Sequence, residues 1–316
     1  MDATKQAIGI DIGGSKTAIG LVTQFGDVTC YRVFPTEAER GFDRAVRRIS
    51  TVVREMLRAA EVAPDKLVAV GIGCAGPVNP RTGEINNPYT LPGWNHCNIV
   101  QPLEREFGVP VCLENDADAA ALGEFYFGAG RGAESMVMLT FGTGIGGAAV
   151  FHGQLYRGVT GEHPEIGHLT VAADRPACYC GRSGCLESIA SGTAMAAAGK
   201  EFGLGNAAEV FAGAERGQPE AVRVLQTARA AVDAAVWTLV HTFLPARIVL
   251  GGGMVEAHPD FYLEPARAVI ARATQIPRDC ITVAIAQLGN RAGLVGAARW
   301  AMLRAQSAQK HNSKTP

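Results

Sequence analysis

Cys178, Cys180 and Cys185 fall within one short stretch, and His168 stands ten positions before the first of them. Three soft sulfurs and one imidazole are the donor set of a closed tetrahedral zinc site. Gly181 and Gly184 allow the backbone to turn tightly enough for such closely spaced cysteines to face one ion. A disulfide with a spare thiol is the competing reading, but C-x-C-x4-C with a histidine upstream favours zinc. Four protein ligands fill the coordination shell and leave no position for water or substrate, so this zinc is expected to be structural. Glu165 and Glu187 bracket the stretch, and a zinc knot has no need of carboxylates. A metal-stiffened loop bearing working polar groups is therefore expected.

A second candidate is Asp116. The apolar run Val109 to Leu113 leads into Glu114-Asn115-Asp116, and the following A-D-A-A-A-L-G-E-F-Y-F is a strong helix former. Asp116 then sits at a strand-to-helix junction. It can cap the helix, and it can also project from the C-terminal edge of a sheet, where α/β proteins bind ligands.

Two glycine-rich turns share one layout. Ala7 to Ile12, carrying Asp11, is followed by Gly13-Gly14-Ser15-Lys16 and the strand Thr17 to Val22; Ser135 to Thr140 is followed by Phe141 to Gly147 and the strand Ala148 to Phe151. Each alone reads as a hairpin with a glycine turn. The recurrence suggests a duplicated α/β unit, whose two turns offer backbone N–H groups to a triphosphate. Lys16 after a double glycine is not the G-x4-G-K-[ST] phosphate loop, because a hairpin and not a helix follows it. A third cluster, Gly251-Gly252-Gly253, ends the strand Arg247 to Leu250. Bare backbone there suits an adenine or ribose, and equally a tight turn before a helix.

The elements that position these groups follow from periodicity. Phe42, Val46, Ile49, Val53, Met56 and Leu57 recur at three and four, predicting a helix over Glu37–Glu61 ended by Pro64. Leu67 to Ile72 reads as a buried strand, Asn86 to Trp94 as a turn-rich cleft loop, and Ile99 to Phe107 as a short helix. Helices are predicted over 188–200, 207–216, 219–244, 259–274 and 293–303, a strand over 281–286, and a disordered tail from about Gln306. The expected domains are 1–115, joined by the C-terminal helix at 293–305, and 116–292 with the zinc loop.

Composition is ordinary for a globular chain, with 47% hydrophobic and 19% charged residues. A net charge of -1 gives no basis for binding nucleic acid or an acidic membrane surface. No window is long and apolar enough to span a bilayer. Met1 to Gln6 runs directly into an apolar strand, so no signal peptide is expected. The other cysteines are scattered among apolar neighbours, as reduced thiols are, and a cytoplasmic location is expected.

Taken in order, D-I-G-G-S-K-T at 11–17, A-G-P-V at 75–78, E-N-D-A at 114–117, F-G-T-G-I-G-G at 141–147, E-I-G-H at 165–168, C-Y-C-G-R-S-G-C-L-E at 178–187 and I-V-L-G-G-G at 248–253 resemble the ROK family of bacterial sugar kinases and repressors. The resemblance covers nearly the whole chain. It implies an α/β, actin-like ATPase fold (a duplicated ribonuclease H-like unit), with two α/β domains around a cleft, in a homodimer or higher homo-oligomer. It implies ATP, Mg2+ and structural Zn2+ as cofactors and a hexose as substrate. Asp116 matches the family's catalytic base. Gly76, Asn115, Glu165, His168 and Glu187 match its sugar contacts. Asp11, Gly13, Gly14, Ser15, Lys16, Thr17, Gly142, Thr143 and Gly144 would hold the phosphates and the Mg2+ shell, and Gly251, Gly252 and Gly253 would face adenosine. His168 can serve twice, one ring nitrogen on zinc and the other donating to a sugar oxygen.

The departures concern the substrate. His163-Pro164-Glu165 replaces the A-G-E usual in family glucokinases and looks more like the fructose- and mannose-phosphorylating branch, whereas the cysteine stretch matches the glucose and N-acetylhexosamine branch. Thr90 and Asp118 stand where asparagine is common. A repressor of this family carries a winged helix-turn-helix before the first strand and a basic face, and neither is expected here. A non-catalytic sugar-responsive module would not need Asp116 or two glycine turns. The resemblance thus implies a hexose kinase acting on the 6-hydroxyl, glucose first, with N-acetylglucosamine, N-acetylmannosamine, fructose or mannose as the alternatives.

Overall fold

A computed structural model describes residues 5–312 apart from 64, 160 and 175, with the side chains of 308–312 left aside. The helix-ending Pro64 and the last four residues of the expected tail lie outside the described residues. The chain divides into two compact units, one formed by 1–132, 155–163 and 290–316 and the other by 133–154 and 164–289.

The first unit is built on a five-stranded sheet in the order β3-β2-β1-β4-β8, comprising β1 (Gln6–Ile12), β2 (Lys16–Thr23), β3 (Val28–Pro35), β4 (Leu67–Cys74) and β8 (Val111–Asn115). β1 and β2 form an antiparallel hairpin, while β1, β4 and β8 run parallel. A small antiparallel sheet of β5 (Val78–Asn79), β6 (Glu84–Ile85) and β7 (Cys97–Asn98) precedes α2 (Val100–Phe107). Successive strand residues face opposite ways, and both faces are covered. Ile8, Ile10, Ile12 and Ile72 share a buried cluster with Ile49, Val53 and Met56 of α1 (Phe42–Ala59). Each such side chain contributes about 1.5–3 kcal/mol by leaving water. On β4 the alternate residue Gly71 meets the C-terminal helix (Ala292–Asn312) so closely that a Cβ would strike the Ala297 backbone. Gly296 is packed as tightly against Ala119 of α3 (Asp116–Phe127).

That packing explains why α3 belongs to the first unit. The boundary expected at 115/116 is displaced past the helix, because α3 continues directly from β8 and lies against the C-terminal helix. That helix reaches Asn312, so 306–312 are helical where a disordered tail is expected. The helix expected over Glu37–Glu61 is broken: Ala38–Arg40 forms a 3-10 turn, and Gly41, at φ 93, separates it from α1.

The second unit repeats the arrangement. Its sheet has the order β11-β10-β9-β12-β13, with β9 (Ser135–Phe141), β10 (Ile145–Phe151), β11 (Gln154–Leu155), β12 (Arg247–Gly251) and β13 (Thr282–Ile285). Again an antiparallel hairpin, β9-β10, is followed by two parallel neighbours. Val137, Leu139, Ile248 and Leu250 are buried in one cluster with Val232, Val236 and Leu239. Those three lie on α7 (Pro219–Phe243), at the helical spacing of an apolar stripe. Pro219 starts α7 at a position where its missing N–H costs nothing. Leu244 ends it in the left-handed conformation, immediately before Pro245. The single helix expected over 188–200 is two, α4 (Glu187–Ala190) and α5 (Gly192–Gly199), because the Ser191 side chain caps α5 by accepting from the Ala194 N–H at 3.1 Å. The unit is completed by α6 (Ala207–Glu215), α8 (Gly253–Ala257) and α9 (Pro259–Arg272). Among the described residues, no helix is long and apolar enough to cross a membrane.

Candidate functional site

In the first unit, the β8–α3 junction carries the acid and its neighbours. Asn115 and not Asp116 caps α3: its Oδ1 accepts from the N–H groups of Ala117 and Asp118 at 2.8 and 3.4 Å. Asp116 is the first helical residue, half-buried, with Oδ1 accepting from the Ala117 N–H at 2.8 Å. The other end of the Asn115 amide faces Gly76, where a Cβ would come within 2.7 Å of Nδ2. The sequence points to Gly76, Asn115 and Asp116 as substrate residues, and the fold brings all three to one place.

Asp11 joins them from β1. Burial and the nearby Asp116 carboxylate push Asp11 up to about 7, against the opposing pull of Lys16. Gly293 makes room for this carboxylate, since a Cβ there would lie 2.8 Å from Asp11 Oδ2. Cys74, fully buried at the end of β4, is raised well above its ordinary value by burial and by the same two carboxylates. Two acids and one lysine at one end of the sheet form a site suited to a cation or to a polyphosphate carried with one.

The 13–15 turn closes the first hairpin. Gly13 N–H donates to Lys16 O at 3.0 Å, and Thr36 N–H to Ser15 O at 3.1 Å. Gly14 lies against Thr90, whose Cβ would be 3.0 Å from a Cβ added at the glycine, so the 86–94 loop backs the turn. Gly14, Ser15 and Lys16 are exposed, and Lys16 Nζ donates to Asn290 at 3.2 Å. Thr17 is different. Its side chain is buried and its hydroxyl pairs with Thr36 Oγ1 at 2.9 Å, while Thr36 Oγ1 donates to Gly13 O at 2.7 Å. Thr17 thus braces the turn from behind and does not reach its outer face. Thr36, which no sequence motif marks, completes that brace.

In the second unit, the 142–144 turn closes the matching hairpin, with Gly142 N–H donating to Gly144 O at 2.9 Å. The start of α5 supports it: Gly192 N–H donates to Gly142 O at 2.8 Å and Thr193 N–H to Thr143 O at 3.2 Å. Glu187 binds the turn directly, Oε2 accepting from the Ile145 N–H at 2.7 Å. Tyr179 also hydrogen-bonds Glu187, and burial together with that bond and charge raises its hydroxyl above the ordinary range. Gly252 sits against the Phe141 backbone at φ 92, whereas a Cβ on Gly253 would meet open space. The three-glycine loop is therefore a close approach followed at once by α8, beside the second turn.

The cysteine loop lies in this unit too. Thr170 bridges Cys185, and Ala177 bridges Ser183. Cys178 N–H donates to Arg182 O at 2.7 Å and Gly181 N–H to Cys178 O at 3.0 Å, closing a tight turn. Gly181 and Gly184 have φ of 91 and 75, as the left-handed turns expected of them require. The donor atoms of His168, Cys178, Cys180 and Cys185 all lie within 4.8 Å of one another. Cys180 Sγ to Cys185 Sγ is 3.5 Å, and Cys178 Sγ to His168 Nδ1 is 3.5 Å. A disulfide needs about 2.05 Å, while the edges of a zinc tetrahedron with these ligands are about 3.6–3.8 Å. The donors fit a metal and not a disulfide. His168 turns Nδ1 to the sulfurs, leaving Nε2 on the other side of the ring. Glu165, just before the 3-10 turn Ile166–His168, is exposed.

Arg157 is a further residue that sequence reasoning misses. It ion-pairs with both Glu114 and Asp118. Its partners lie 43 and 39 residues away in the chain, and no local pattern marks it.

A family model for the ROK family matches residues 7–304. A glucokinase from Halalkalibacterium halodurans is 31% identical over 98% of this chain and 98% of its own. The crystal structure of a ROK hexokinase from Thermus thermophilus is similar with a TM-score of 0.85 and 36% identity, over 96% of this chain and 99% of that one. A ROK glucokinase from Streptomyces griseus, crystallised with glucose and AMPPNP, matches with a TM-score of 0.75 and 32% identity, over 94% and 99% of the two chains.

Proposed function

The chain is a member of the ROK family, and from that premise we propose that it is an ATP-dependent hexose kinase that phosphorylates the sugar 6-hydroxyl, with glucose as its substrate. The observation that carries this reading is the β8–α3 junction, where Asp116, Asn115, Gly76 and Asp11 converge. Relatives at about a third identity that are glucokinases and hexokinases support the same assignment.

Phosphoryl transfer needs positioning and charge stabilisation more than covalent help from the protein. Asp116 accepts the hydroxyl proton as the sugar O6 attacks the γ-phosphorus and the bond to the bridging oxygen of ADP breaks. General bases of this kind contribute about 10²–10⁴-fold. Asn115, with Nδ2 beside Gly76, holds a neighbouring sugar hydroxyl. In the second unit, Glu165, the Nε2 of His168 and the Glu187 carboxylate would meet ring hydroxyls. In the first unit, Lys16 and the exposed Gly14 and Ser15 of the 13–15 turn would meet phosphate; in the second, Thr143 and Gly144 are the residues proposed for the same role. Asp11 would hold the water shell of a magnesium ion bound with ATP, and that ion would neutralise charge on the phosphates. His168, Cys178, Cys180 and Cys185 would hold a structural zinc, which would stiffen the loop between Glu165 and Glu187. The proposal extends to a homodimer, read by sedimentation.

Replacing Asp116 with asparagine tests the assignment. Asp116→Asn is expected to cut kcat at least about a hundredfold while glucose affinity stays within about threefold. Near-normal turnover would remove Asp116 from its role.

A further inference from the structure

Arg157 lies on the segment 155–163, which belongs to the first unit although second-unit residues precede and follow it. Its guanidinium splits between two acids. Nη1 donates to Asp118 Oδ2 and Nη2 to Glu114 Oε2. Glu114 is next to last on β8 and Asp118 is in the first turn of α3, so the two acids flank Asn115-Asp116 from either side. The Asp118 side chain is 0% exposed, Glu114 5% and Arg157 21%. Asp118 Oδ1 has no hydrogen-bond partner among the described residues. Glu114 also takes a hydrogen bond from Trp300 of the C-terminal helix.

Two carboxylates this deep are costly to ionise. Burial pushes Glu114 up to about 7 and raises Asp118, and Arg157 opposes both shifts. Neutralisation alone would need only a cation near the pair. A planar, two-armed guanidinium does more, since each arm fixes one carboxylate in direction as well as charge. Here the two arms end on different elements, and the peptide between those elements carries the proposed base.

We propose that Arg157 is a positioning residue for phosphoryl transfer. By gripping the end of β8 and the first turn of α3 together, it fixes the junction from which Asp116 projects. Asp118, at a position where asparagine is common in the family, faces Arg157 in this arrangement. The proposal rests on the reading of Asp116 as the base. A displacement of about 1 Å at a reacting group costs about a hundredfold in rate, so loosening the junction should be read in kcat.

The test compares Arg157→Met, Arg157→Lys and the triple variant Arg157→Met/Glu114→Gln/Asp118→Asn. Each is measured for kcat, KM for ATP and Tm, with kcat taken well below Tm. Arg157→Met should lower both Tm and kcat, the latter at least about tenfold, with KM for ATP within about twofold. Arg157→Lys restores the charge but reaches one acid at a time, and should recover Tm more fully than kcat. The triple variant removes the buried charges without restoring the bridge, so Tm should recover while kcat stays at least about tenfold down. Recovery of kcat together with Tm in the triple variant would overturn the proposal and leave Arg157 a neutralising cation. So would a fall in Tm without a fall in kcat for Arg157→Met. Should that variant fail to fold, the triple and lysine variants decide alone. A wild-type protein that phosphorylates no hexose would end the kinase reading and this proposal with it, and that failure is visible before any variant is made.

Discussion

The 13–15 and 142–144 turns close corresponding hairpins of two sheets with the same strand order, yet different chemistry holds them. The first is braced by hydroxyls from behind, Thr17 to Thr36 to Gly13, with Asp11 and Lys16 on its flanking strands. The second is held by a carboxylate, Glu187 on the Ile145 N–H, and by the N-terminal residues of α5. Glu187 follows directly on the cysteine loop, whose Tyr179 it also bonds. One turn therefore depends on neutral groups of its own sheet and the other on a loop suited to a metal. Two sheets of one strand order thus hold matching turns by different means, hydroxyls in one and a carboxylate in the other.

The largest expected effect separates the halves through the cysteine cluster. Cys180→Ala should abolish binding of about one zinc per chain and weaken glucose binding at least about tenfold, through the wall bearing Glu165 and Glu187. Metal analysis and calorimetry read it. A metal-free protein with full sugar affinity would break the contrast.

A second prediction concerns the charged half. The raised Asp11 keeps in the folded state a proton that the unfolded chain has already released. Its contribution therefore lowers stability as pH rises from about 4 to about 7, and levels off above that. Asp11→Asn should stabilise the ligand-free protein at pH 8 by about 2 kcal/mol or more, with the gain fading toward pH 4. Urea unfolding across that range reads it; a gain independent of pH would contradict the cause assigned. The same substitution should cut kcat/KM for ATP at least about tenfold, if the carboxylate holds the cation shell.

The smallest effect compares the turns themselves. At Gly144 a Cβ would fall 2.7 Å from Glu187 Oε2, whereas at Gly13 the nearest atom is Lys16 O at 3.4 Å. Gly144→Ala should displace the carboxylate and cost about 1–3 kcal/mol, while Gly13→Ala should stay within about 0.5 kcal/mol. Equal costs in thermal unfolding would mean that Glu187 does not hold the second turn.

Much of this is legible from residue type and spacing. The paired hairpins, the junction at Asp116 and the cysteine donors are local patterns, and each is present where the sequence points. What escapes such reading depends on distance or on weak patterning. Strand β3 (Val28–Pro35) is not among the expected elements, because V-T-C-Y-R-V-F-P at a sheet edge mixes exposed and half-buried residues without clean alternation. The break at Ser191 reads as continuous helix until its cap is seen. Thr17 sits in a glycine-rich turn and so resembles a phosphate ligand, but its hydroxyl partner is 19 residues on. Asp116 has the residue type of a cap, but Asn115, one residue earlier, has the extended backbone and the side-chain bonds of the capping position. Arg157 and the Glu187–Ile145 bond join residues about forty positions apart, beyond any periodicity.

The most direct measurement of the central claim is a phosphorylation assay of the wild-type protein with ATP and Mg2+ across glucose, mannose, fructose, N-acetylglucosamine and N-acetylmannosamine, with the position of the new phosphate read by NMR. The account predicts glucose 6-phosphate as the dominant product, one ADP for each sugar phosphorylated. ATP consumption with no sugar phosphate, or a phosphate at any oxygen other than O6, would contradict it.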